Sequence, residues 1–98
     1  MRPVHPGEVL REEYLVPLSM SVESLSEALH LPPSLLANVV QEQQGVSPDT
    51  ALRLARYFGT TAQFWLNLQS SYDLKIAEQS IGHRIEQEIY PLQQVAYG

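Results

Sequence analysis

The tightest constraint on this chain is the helix punctuation of residues 47–74, SPDTALRLARYFGTTAQFWLNLQSSYDL. Ser47 can cap a helix, Pro48 suits the first helical position, and Asp49 suits the positive helix start. Gly59 stands just past an apolar run, where a left-handed residue ends a helix. Thr60 and Gln63 then have capping-box spacing and open the next helix. These signals predict two helices and a tight turn. The first runs from about Pro48 to Phe58, with Ala51, Leu52, Ala55 and Phe58 inward and Arg53 and Arg56 outward. The second begins near Thr61, reaches Glu78 or beyond, and repeats Phe64, Trp65, Leu68 and Tyr72 with a 3.6 period.

Upstream, Pro6 and Glu8 open a helix to about Tyr14, which Pro17 ends. Ser21 caps a second, roughly Val22 to His30, with Val22, Leu25, Ala28 and Leu29 inward. Leu31-Pro32-Pro33 forces a break, and a third helix from Pro33 to about Gln41 buries Leu36, Val39 and Val40. Residues 42–46 form a polar loop around Gly45. Ser80 to His83, around Gly82, reads as a break, followed by a short helix and an extended tail. The expectation is an all-α, five-helix chain with one domain over 1–80 and a tail over 81–98 in contact with a second protomer. The second and third helices fit either a helix-turn-helix or a plain small bundle.

Composition narrows the function. Ninety-eight residues make one domain with a modest core. The absence of cysteine excludes disulfides, thiolate zinc sites and Cys nucleophiles. No apolar run is long enough to span a bilayer and the start lacks a signal-peptide core, so a cytoplasmic protein without membrane contact is expected. The net charge of −5 disfavours non-specific nucleic-acid binding and favours a basic protein partner. His5, His30 and His83 are scattered, and His83 with Glu86 gives only two ligands at helical spacing. Neither catalysis, metal nor cofactor is therefore expected. Trp65 and Phe64 read as core packing before interface, and Asn67 and Gln69 as surface. Tyr90, Leu92, Val95 and Tyr97 either pack on their own domain or join a second chain; the second is the expectation.

HPGEVLREEYLVPL near the start, LPPS at the head of the third helix and TALRLARYFGTTAQFWLNLQSSYDL together resemble the HigA antitoxins. These are also called the VapI or plasmid-maintenance antidote family, within the Cro/CI-type (XRE) helix-turn-helix group. The resemblance spans roughly His5 to Leu74, and FGTTAQFWLNLQ is its most specific part. It implies a five-helix, lambda-repressor-like homodimer that binds operator DNA through its third helix, represses its own operon and neutralises a basic, RelE-like ribonuclease toxin. On these positions the DNA contacts fall to Ser34, Leu35, Asn38, Gln41, Gln43 and Gln44, with Ser47 and Thr50 near phosphate and Arg53 and Arg56 the nearest cations. Asn and Gln can pair bidentately with adenine, and Leu35 can touch a thymine methyl.

The chain departs from the family in charge. A basic or polar residue early in the third helix and a Gly-Lys-Arg-like loop are usual, whereas Leu35 and Glu42-Gln43-Gln44 stand here. From Glu12 to Leu52 there is no Lys or Arg. Phosphate contacts supply most DNA affinity, so an antitoxin-like protein-interaction module that has lost DNA binding is the competing expectation.

Overall fold

The computed structural model describes residues 2–92. Among them are five helices and no strand, the expected all-α, Cro/CI-like architecture. Helix α1 covers residues 6–18, α2 is Val22–Leu29, α3 is Pro33–Val40, α4 is Pro48–Phe58 and α5 covers residues 62–88.

Helix α1 does not stop before Pro17. Its turns at Pro6–Val9 and Val16–Leu18 flank a widened π-helical stretch, Leu10–Leu15, in which the Val16 N–H reaches back to Arg11 O. Proline lacks an N–H and its ring clashes with the carbonyl four residues back, here that of Glu13. The wide turn provides that room and carries the helix to Ser19. The break expected around Gly82 is also a wide turn, Glu78–Gly82, and α5 continues through it to Glu88. Ile89 then turns extended, so the helix ends one residue short of Tyr90, which precedes Pro91 and is itself biased away from the helical region.

The core draws on every helix and one loop: Leu10 and Leu15 of α1, Leu25 and Leu29 of α2, Leu36 and Val39 of α3, Val46 of the loop before α4, Ala51 and Leu54 of α4, and Trp65 of α5. On α4 the buried stripe is Ala51, Leu54 and half-buried Phe58, spaced three and four apart. Leu52, expected inward, lies one residue (about 100°) off that stripe and is 63% exposed. Ala28 likewise faces out. Trp65 is fully enclosed, while Phe64 stays partly exposed and meets its edge at 5.0 Å. Thr61, not Thr60, caps α5, its hydroxyl accepting from Phe64 N–H. Thr60 Oγ1 instead accepts from the Trp65 indole at 2.8 Å.

Close backbone approach sets the α1–α3 contact. A Cβ at Gly7 would overlap the Val39 carbonyl. His5 caps α1 through Nδ1, which accepts from Gly7 N–H at 2.9 Å, and meets Tyr72 edge-on. The second half of α5 leaves this core. The longest dimension is 55 Å, and the radius of gyration of 17.5 Å exceeds the roughly 13 Å of a compact chain this long. Leu74, Ile81, Ile85 and Ile89 stand exposed along the projecting helix, followed by Tyr90 and Leu92. Val95 and Tyr97 lie outside the described residues.

Candidate nucleic-acid interface

Three residues, 30–32, separate α2 from α3. Leu31 N–H reaches Ser26 O and His30 N–H reaches Glu27 O, closing α2 with His30 in the left-handed region. Pro32 and Pro33 then start α3 at once. The same closure ends α3: Gln43 N–H bonds Asn38 O, Glu42 N–H bonds Val39 O, and Glu42 is left-handed at φ 64°. It turns the chain into the loop 41–47, which leads to the Ser47 cap of α4.

This geometry leaves Ser34, Gln41, Gln43, Gln44 and Ser47 exposed and Asn38 half-buried. Ser34, Asn38 and Gln41 belong to α3 or its end, whereas Gln43, Gln44 and Ser47 belong to the loop and cap that follow. Leu35 is half-buried and packs against the core, so only part of its surface is open. Thr50, expected near phosphate, is 2% exposed, and its hydroxyl bonds the Ser47 hydroxyl at 3.3 Å in support of the α4 cap.

The cations are mostly committed. Arg53 donates to Leu29 O at 2.8 Å and His30 O at 3.2 Å, and its Nε faces Asp49. It therefore staples the C-terminus of α2 to α4, satisfying carbonyls that the helix end leaves free. Arg11 does the same for α3, donating to Val40 O while pairing with Glu12 and Glu42. Arg2 is held by Glu8, which in turn sits below the usual carboxylate range because of that hydrogen bond. Arg56 pairs with no carboxylate among the described residues. It lines a cleft of about 570 Å³ between the end of α2 and α4, with Ala28, His30, Leu52 and Tyr57.

Two residues outside the sequence expectation shape this face. Arg11 gives no local signal of this role, because the α3-end groups it holds, Val40 O and Glu42, lie 29 and 31 residues away. Gln69, expected on the surface, is half-buried, and Val46 N–H donates to its Oε1 at 2.7 Å. Its spacing of four from Trp65, which places both on one flank of α5, was the available clue.

A short turn between α2 and α3, held in a five-helix frame, defines a helix-turn-helix protein of the Cro/CI-like class. A helix-turn-helix family model matches residues 10–65. Virulence-associated protein I of Dichelobacter nodosus is 58% identical over 79 residues, which cover 81% of this chain and 73% of the relative. Antitoxin HigA-1 of Vibrio cholerae is 36% identical over 73 residues, covering 74% and 68%. The structure of the Pseudomonas aeruginosa antitoxin HigA with the higBA promoter superposes with a TM-score of 0.91 at 49% identity, covering 93% of this chain and 99% of that one. The chain belongs to the HigA family of helix-turn-helix antitoxins, which is not an enzyme class. Among the described residues, no helix is long and apolar enough to cross a membrane.

Proposed function

We propose that the chain is an antitoxin that binds its own operator as a homodimer, represses its operon, and neutralises a basic, RelE-like ribonuclease toxin. The observation that carries the DNA half is the polar ridge of Ser34, Asn38, Gln41, Gln43 and Gln44 on and just after α3, exposed or half-buried and backed by a fully enclosed Leu36 and Val39. The relative from Pseudomonas aeruginosa, half identical in sequence, is found with promoter DNA. Helix α3 enters the major groove, the amides read adenine edges, and Ser47, the N–H groups at the α4 start and Arg56 approach phosphate. Leu35 offers its open edge to a thymine methyl.

Dimerisation is supported by the exposed apolar residues Leu74, Ile81 and Ile85 on the projecting half of α5 and Ile89, Tyr90 and Leu92 just beyond it. Two protomers place two α3 helices about one DNA turn apart, matching a palindrome. Ile81→Lys with Ile85→Lys gives a monomer by sedimentation and weakens operator binding; an unchanged dimer would move the interface elsewhere. The acidic charge, −5 over the whole chain, speeds encounter with a cationic toxin. The checking measurement is RNA cleavage by the product of an adjacent short basic reading frame. It falls to background at one equivalent of this chain, and unabated cleavage at tenfold excess removes the antitoxin reading.

A second reading, a protein-interaction module without DNA binding, is favoured by one observation: Arg11 and Arg53 are spent on helix ends and carboxylates. Titrating a duplex of the chain's own upstream region at two salt concentrations separates the two. Binding at low salt supports the repressor, and none at either salt supports the module.

A further inference from the structure

The loop from Gln41 to Ser47 presents four of the proposed DNA contacts, yet few of its own atoms hold it. The N–H groups of Glu42 and Gln43 close the end of α3. Val46 N–H, beside a side chain only 5% exposed, donates instead to Gln69 Oε1 of α5. The orientation of that amide is set one turn further along α5, where Gln69 Nε2 donates to Asp73 Oδ1 at 2.9 Å. A carboxylate only accepts, so it fixes which end of the amide is nitrogen and turns the oxygen to Val46. Gly45 lies flat against the same group: a Cβ there would stand 2.7–2.9 Å from the Gln69 carboxamide atoms. The loop is thus gripped from two sides, by Arg11 of α1 at Val40 O and Glu42, and by Gln69 of α5 at Val46.

We infer that Gln69, oriented by Asp73, is a positioning residue for DNA binding: it fixes the loop so that Gln43, Gln44 and Ser47 meet the DNA in one arrangement. The inference rests on the repressor reading proposed above. Gln69 itself touches no DNA in this scheme. Its effect is to remove the ordering cost that a loose loop would meet on binding.

The test combines amide hydrogen exchange on the free full-length protein with titration of a duplex carrying the region immediately upstream of its reading frame. Wild type, Gln69→Leu, Gln69→Glu and the double variant Gln69→Glu/Asp73→Asn are compared. In Gln69→Leu, Val46 N–H exchanges at least tenfold faster while core amides of α5 keep their protection, and operator affinity falls about tenfold. Gln69→Glu alone keeps an acceptor for Val46 N–H but sets two carboxylates side by side, and so shows a smaller loss of the same kind. In the double variant, amide and carboxylate trade places and a carboxylate oxygen still accepts from Val46 N–H. Protection and affinity both return to within about threefold of wild type. Unchanged Val46 exchange in Gln69→Leu would overturn the tether. Faster exchange with unchanged affinity would overturn the positioning role alone. Absence of binding by wild type would overturn that role together with the repressor reading.

Discussion

Single side chains settle several questions that spacing leaves open. Trp65 is buried whichever partner its indole finds, but the hydroxyl of Thr60 decides that the N–H is satisfied. Thr60→Val keeps the shape and orphans a buried donor, so it lowers unfolding free energy by about 1–3 kcal/mol. Thr60→Ser restores most of the loss, and urea denaturation reads both. His5 is a second case. Burial pushes its imidazole below the ordinary value, against weaker opposite pulls from Glu42 and Asp73. Its Nδ1 must stay unprotonated to accept from Gly7 N–H. The unfolded chain therefore takes up a proton near pH 6.5 that the folded chain resists, and stability present above that pH is lost as pH falls from there through the lower folded value. The melting temperature should decline between pH 7 and 5, and His5→Ser, which retains a capping oxygen, should flatten that decline. An equal slope in both proteins would place the titrating group elsewhere. Arg53 shows the limit of residue-level reading: its outward position on α4 was legible, but not that α2 would bring two carbonyls to meet it.

Helix ends follow one rule with unequal visibility. Four helices close on a left-handed residue: Ser19, His30, Glu42 and Gly59. Only Gly59 was readable, because glycine alone enters that region without a Cβ penalty. No atom comes within 4 Å of a Cβ placed at Gly59, so Gly59→Ala tests the backbone alone and costs about 1–2 kcal/mol. His30→Gly should move the other way, stabilising by about 1 kcal/mol or less, since it relieves the same strain while Arg53 keeps its carbonyl partners. Chemical denaturation of both variants decides it. Gly7 differs in kind: its constraint is the Val39 carbonyl, so a substitution displaces α3. The wide turns in α1 and α5 had no signature beyond Pro17 and Gly82, and both residues ordinarily mean an end. Packing continued the helices through them.

Over the whole molecule, charge and shape govern function more than any contact. The chain carries −5 overall, and of Arg53 and Arg56 on α4, Arg56 alone pairs with no carboxylate among the described residues, so operator affinity should depend weakly on salt. Gln43→Lys with Gln44→Arg should raise affinity and steepen the slope of log K against log salt by about one unit per new phosphate contact. An unchanged slope in a salt-series titration would place the loop away from the DNA backbone. By itself the sequence determined five helices, their starts and most of the core, because caps, prolines and the apolar period act within a few residues of themselves. It also carried the family, since the residues that resemble it are largely those same helix and core positions. Only the tertiary structure decided that Leu54 is buried and Leu52 is not, that Arg11 and Arg53 are staples, and that Gln69 grips a loop 23 residues away. Those choices depend on which helix ends and faces meet, and an individual segment holds no record of its distant neighbours.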